Sequence, residues 1–237
     1  MSRLERPTTT SKNPATKFLE WKSERKCFSF YNRETQVNED LQLPLKFLFL
    51  EHYNVIKGWH DPTQTGIISN EVFLLSKEKL KVRTYKGLEI AEGYYSEIKD
   101  KVKLSGGVYH KSVYVMLPNG ELANLQLKGA VIGGLSAEQS LTKLAVKGYS
   151  DFYQDNHRLL DNQWIEITDV SDAKKGATKY SIPNFKVGSH ITDDENEKAN
   201  ECAKILQQYV NDYKGINVPE NQVKETLEVT ETDGLDF

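Results

Sequence analysis

The chain has only two cysteines among its 237 residues, Cys27 and Cys202, far apart and with no metal-ligand neighbour. Structural disulfides are therefore not expected, and a reduced, cytoplasmic setting fits best. No run of 18 apolar residues occurs, so no membrane span is expected. Residues 1–14 are polar and lack the apolar stretch of a signal peptide. No internal repeat is found.

Catalytic signatures are missing too. The five histidines, His52, His60, His110, His157 and His190, form no His-Glu-x-x-His pair. There is no Gly-x-x-x-x-Gly-Lys-Ser/Thr phosphate loop and no Gly-x-Ser-x-Gly elbow. Cys27 sits in an alternating strand-like segment and reads as core rather than nucleophile. Asp193, Asp194 and Glu195 read as an acidic helix start, favourable with the helix dipole. The expectation is a protein that is not an enzyme and carries no cofactor and no metal.

What is present begins with a core. Hydrophobic residues make up 38% and aromatics 10%, enough for one large domain with accessory segments. Charge is unevenly spread. Residues 1–190 hold 27 Lys and Arg against 22 Asp and Glu, a surplus of five positive charges. Residues 191–237 hold 4 against 12, a surplus of eight negative charges. A basic body with an acidic tail is a pattern that accompanies nucleic-acid binding.

The organisation follows from period and punctuation. Residues 1–16 read as a flexible polar arm. Strand-like runs occupy 26–31, 45–56, 66–75, 80–85 and 88–91. Residues 94–104 read as a helix with Tyr95, Ile98 and Val102 inward and Lys99, Lys101 and Lys103 on a solvated face. Residues 108–117 and 121–128 flank Pro118-Asn119-Gly120 and predict a hairpin. Residues 136–146 predict a second helix. Residues 163–170 and 178–187 predict a closing strand pair, with Pro183 marking an edge or a bulge. Thr192 to Glu195 is a capping box opening a helix to about Tyr213, with Gly215 as its stop. The body, 17–190, thus reads as mainly β (α+β): an OB-like, partly open β-barrel with inserted helices. The C-terminal helix, 191–215, and a disordered acidic tail, 216–237, follow. A sandwich also satisfies the periodicity.

The binding chemistry lies in aromatics beside cations. Lys57-Gly-Trp59 ends one strand. Lys81, Arg83 and Tyr85 share one face of another, opposite Val82 and Thr84, with Lys86 following. Tyr109 and Lys111 are expected to face Asn124, Gln126 and Lys128 across the hairpin. Cations that track phosphates and rings that stack on any base are what single-strand binding needs. No basic recognition helix of a duplex reader is present. The candidate nucleic-acid-binding residues are Lys57, Trp59, Arg83, Tyr85, Lys86, Tyr109, Lys111 and Lys128. The tail ends in Glu-Thr-Asp-Gly-Leu-Asp-Phe, which suits capture by a basic, apolar pocket.

These residues resemble a known group. An acidic terminus ending in Phe, with Asp233, Asp236 and Phe237, is similar to that of bacterial and podophage single-stranded-DNA-binding proteins. The segments NPATKFLEWKS (13–23), KGWHDPTQTGIISNEV (57–72) and VRTYKGLEIAEG (82–93) resemble single-stranded-DNA-binding proteins of crAss-like phages of Bacteroidetes. The resemblance implies an OB-fold body and a tail that recruits replication proteins while competing with DNA. It assigns Asp233, Asp236 and Phe237 to partner binding. The expected partners are single-stranded DNA and replication proteins; a homodimer is compatible with the sequence. Two other readings remain at this point: a virion-associated or assembly protein with a β-sandwich body, and a DNA-processing enzyme with dispersed carboxylates.

Overall fold

Strand-forming residues dominate, and one long strand organises the rest. The computed structural model describes residues 12–214. Strands β1 (Lys17–Lys22), β2 (Cys27–Asn32) and β3 (Val37–Leu41) precede the 16-residue β4 (Leu45–His60). Then come β5 (Thr65–Ser69), β6 (Leu80–Thr84), β7 (Glu89–Gly93) and helix α1 (Tyr95–Leu104). The hairpin β8 (Gly107–Met116) and β9 (Leu122–Lys128) leads to α2 (Ala130–Gly133) and α3 (Tyr149–Asn156). Strands β10 (Gln163–Lys175) and β11 (Thr178–His190) and helix α4 (Asp193–Lys214) complete it. The fold is mainly β, built on a large open mixed sheet with a C-terminal helix.

The strand path is β3-β2-β1-β9-β8-β4-β5-β6-β7, and β10 joins β4 and carries β11. Among the described residues only β1 and β9 run parallel. Strand β4 pairs with three strands, and β5 meets its end through Lys57 to His60. Its start pairs with β10 through Leu45 and Phe47, and the remainder pairs with β8 across a bulge between Phe49 and Glu51. A bulge bends a strand and increases its twist, which lets β4 turn from the β10 ladder into the β8 ladder. The sheet thereby wraps a core containing Leu19, Phe28, Phe47, Val115, Leu125, Ile165 and Ile182. Strands β1 and β11 approach each other through side-chain hydrogen bonds rather than a ladder. Trp21 Nε1 donates to the Ser181 carbonyl at 2.8 Å, and the Ser181 amide donates to Ser23 Oγ at 2.5 Å.

Two further clusters complete the packing. Helix α1 buries Ile98 and Val102 against Ile56, Ile67, Leu80 and Val82. Its lysines Lys99, Lys101 and Lys103 are exposed as expected. Helix α4 buries Cys202, Leu206 and Val210 against Leu48, Tyr114, Met116 and Leu122 on the other face of the sheet. The capping box forms: the Thr192 amide donates to Glu195 at 2.8 Å, and the Glu195 amide donates to Thr192 Oγ1 at 3.3 Å.

Three expectations need correcting. Residues 136–146 form turns rather than a helix. Their backbone bonds are made across the fold: Leu135 and Val146 exchange two, Leu141 donates to Asp172, and Lys174 donates to Gln139. Lys143 also takes a positive φ of 61°, which an α-helix excludes. The strand expected over 66–75 stops at Ser69, beyond which Val72 alone bridges to Asn54. The expected arm is docked at its end, since Ala15 is buried and Thr16 donates to the Leu122 carbonyl at 2.9 Å. Four elements were not anticipated: the strands β1 and β3 and the helices α2 and α3. Pro183 does lie on an outer strand, because β11 pairs only with β10. Residues 1–11, the expected helix stop Gly215 and the acidic tail, 216–237, lie outside the described residues.

Candidate nucleic-acid interface

Trp59, Gly66 and Tyr85 form one row across three strands. Trp59 of β4 pairs with Gly66 of β5, and the Tyr85 amide donates to the Gly66 carbonyl at 2.9 Å. Gly66 has no side chain, and the Tyr85 ring occupies the space a Cβ there would take. Both aromatics are open to solvent, Trp59 at 52% and Tyr85 at 68% relative exposure. Two strand spacings, about 10 Å, separate their backbones.

The next row on the same face holds the cations. Lys57 pairs with Ile68, and Ile68 with Arg83. Side chains two apart on a strand share a face, so Lys57 and Arg83 stand beside Trp59 and Tyr85. Burial pulls the pKa of Lys57 below its usual range, with Glu71 and Glu20 opposing the shift. Its ammonium lies 5.5 Å from the centre of the Phe18 ring. Lys86, in the turn after β6, donates to the Thr63 carbonyl at 2.9 Å and ties that turn to the end of β4.

Across β8 the face continues. Lys57 pairs with Val108, and His110 pairs with exposed Lys128 of β9. Below this rim lies a polar layer of buried Ser112, Asn124 and Gln126. Five of the eight expected residues, Lys57, Trp59, Arg83, Tyr85 and Lys128, thus gather on one side of the sheet, with Lys86 in the adjoining turn.

Tyr109 and Lys111 do not join them, and the expectation that they face Asn124, Gln126 and Lys128 is wrong. Lys111 pairs with Leu127, while His110 and Ser112 pair with Lys128 and Gln126. A one-residue offset exchanges the faces of a strand. Tyr109 points to the core side, where its hydroxyl donates to Asn54 Oδ1 at 2.6 Å and its ring meets Tyr95 at 5.5 Å. Burial raises its pKa strongly.

Acidic groups temper the cations. Lys81 lies 3.6 Å from Glu92, and Arg83 pairs with Glu89. A groove of about 990 Å³ beside this row is lined by Lys79, Lys81 and Arg83 together with Glu71, Glu78, Glu89 and Glu92. The positive surplus of the body is therefore not concentrated at this groove. Phe18 beneath Lys57 belongs to the same face and was missed. Only the parallel pairing of β1 with β9, Phe18 against Asn124, brings it there. The described residues contain no group of three or more His, Cys, Asp or Glu placed to hold a metal ion. Nor does any described helix have the length and apolarity to cross a membrane. No protein-family model, curated protein or solved structure matches the chain.

Proposed function

We propose that the protein binds single-stranded DNA with little sequence preference, in phage DNA replication or recombination in the host cytoplasm. The observation that carries this reading is the Trp59–Gly66–Tyr85 row, two solvent-open rings held by backbone pairing with Lys57 and Arg83 one step away. Bases stack on the rings, and phosphates run between Lys57, Arg83, Lys86 and Lys128. Stacking contributes about 1–3 kcal/mol per base and is indifferent to base identity. A duplex keeps its bases stacked on each other and gains only the phosphate contacts. The body is read as an OB-like, partly open barrel, with β4 as the strand that bends from its β10 ladder into its β8 ladder. The likeness of residues 13–23, 57–72 and 82–93 to phage single-stranded-DNA-binding proteins supports the same assignment. The acidic terminus, with Asp233, Asp236 and Phe237, recruits replication proteins and competes weakly for the basic face.

The test is a titration of oligo-dT and of a matched duplex across a range of salt. Preference for the single strand, weakening as salt rises, is the expected result. Absence of binding at low salt, or equal binding of duplex, overturns the reading.

A further inference from the structure

Four aromatic rings are exposed among the described residues: Tyr31, Trp59, Phe73 and Tyr85. Phe73 rests against the rings of His52 and Tyr53. Tyr31 is 56% exposed and makes no side-chain hydrogen bond or ring contact among the described residues. One exposed ring is ordinary on a protein surface, so its place in the sheet decides what it can do.

Strand pairing fixes that place. Lys57 and Trp59 share a face of β4 with Tyr53, which pairs with Ser112. Ser112 pairs with Gln126, Gln126 with Glu20, and Glu20 with Ser29. Paired residues share a face, and so do residues two apart on one strand. Tyr31, two beyond Ser29, therefore projects from the same face as Trp59 and Tyr85. The residues between them lie on a diagonal. From Tyr85 and Trp59 it passes Lys57 on β4, Lys128 on β9 and Lys22 on β1 before reaching Tyr31 on β2. The diagonal crosses six strand spacings and about eight residues of strand length, about 39 Å on a flat sheet.

The middle of this diagonal is cationic. Lys22 holds the Glu20 carboxylate at 2.7 Å. Partial burial raises the Glu20 pKa, but the hydrogen bond from Lys22 and the charges of Lys22, Lys128 and Lys57 outweigh it and hold the carboxyl below its ordinary range. One carboxylate thus faces three ammonium groups. An exposed ion pair contributes little, so a phosphate can take the place of Glu20 at Lys22. Asp40, which pairs with Ser29 on the same face, is taken up by Arg25 at 2.6 Å.

We propose that the bound strand continues past the Trp59–Tyr85 platform, crosses the sheet over Lys57, Lys128 and Lys22, and stacks a further base on Tyr31. The proposal rests on the single-strand reading of the platform. Rings take any base and ammonium groups take the phosphates between them, so Tyr31 and Lys22 lengthen the site without adding sequence preference. At roughly 3.4 Å per stacked nucleotide the diagonal holds about eleven nucleotides, and fewer when the strand is extended.

The test compares dT4 with dT16 on the full chain by anisotropy. The shorter strand covers the platform and cannot reach Tyr31 as well, whereas dT16 spans both even when its bases stay stacked. Tyr31→Ala should weaken dT16 binding roughly 5-fold to 150-fold, for one stack lost, and leave dT4 binding unchanged. Lys22→Gln should reduce the slope of log affinity against log salt by about 0.7 for dT16 and leave it unchanged for dT4. Tyr31 has no partner to lose among the described residues, so thermal unfolding of Tyr31→Ala should match the wild type. If the wild type binds dT16 and Tyr31→Ala binds it equally well, the route is overturned and the single-strand reading stands. The same holds if Lys22→Gln keeps the dT16 slope, or if Tyr31→Ala loses as much for dT4 as for dT16. A wild-type protein that binds neither oligonucleotide overturns the single-strand reading itself, and the route with it.

Discussion

Tyr85 rests its ring over Gly66, in the volume a side chain at that position would fill. The glycine is the structural condition for an aromatic platform beside Trp59. Gly66→Ala places a methyl where the ring lies and forces Tyr85 to swing away. Oligo-dT affinity should fall as far as it does in Tyr85→Ala, by roughly 5-fold to 150-fold for the loss of one stack. Trp59→Ala should cost a similar factor. Their backbones stand two strand spacings, about 10 Å, apart, so the double variant should lose close to the product of the single losses. Anisotropy titration reads these, with thermal unfolding as the control that the sheet is intact. Unchanged binding in both single variants removes the platform from the interface.

The division of the sheet into two faces makes a second prediction. Lys57→Gln, Arg83→Gln and Lys128→Gln should each weaken binding and reduce the slope of log affinity against log salt by about 0.7, one phosphate contact on a single strand. Lys111→Gln and Tyr109→Phe, on the core side, should leave the slope unchanged. Tyr109→Phe should cost about 1 kcal/mol of stability, for the hydroxyl's bond to Asn54. A slope that drops in Lys111→Gln and not in Lys128→Gln would reverse the assignment of faces.

A third prediction concerns the terminus. Removing residues 231–237 deletes three acidic side chains, Glu231, Asp233 and Asp236, along with Phe237. Affinity for oligo-dT should rise modestly at low salt and converge with that of the full chain as salt screens the competition. Identical titrations at every salt concentration would mean that the terminus does not contest the DNA site.

How much of this was legible in sequence depended on the range of the interactions. The β8–β9 hairpin, the capping box at Thr192 and the exposed Lys81–Arg83–Tyr85 stripe are set by residues close in the chain, and all were readable. The partnership of Trp59 with Tyr85 needs β5 to place Gly66 between them, which alternation within one strand does not reveal. The faces of Tyr109 and His110 turn on one residue of hairpin register. Residues 136–146 have a helical pattern, but Asp172 and Lys174 supply backbone partners that a sequence window cannot see. Strand β1 has weak alternation and exists through its parallel pairing with β9, about a hundred residues away.

The buried polar layer also predicts how stability responds to acid. His110 titrates near 4 in the folded protein, against an ordinary value of about 6.5 for an exposed histidine. Above pH 6.5 the ring is neutral whether folded or unfolded, and it contributes no pH dependence. As pH falls below about 6.5 the unfolded chain takes up a proton that the folded one refuses, so stability drops until about pH 4 and then levels. The full loss is roughly 3 kcal/mol for a displacement of this size. His52 adds a loss of the same sign, since burial also holds its pKa well below the usual range. Denaturant unfolding between pH 7 and 4.5 measures the slope, and His110→Gln should flatten it whatever its effect on stability at neutral pH. A slope unaltered by that substitution, or a His110 ring that titrates near 6.5 by NMR, would show that the layer beneath Lys128 is wet.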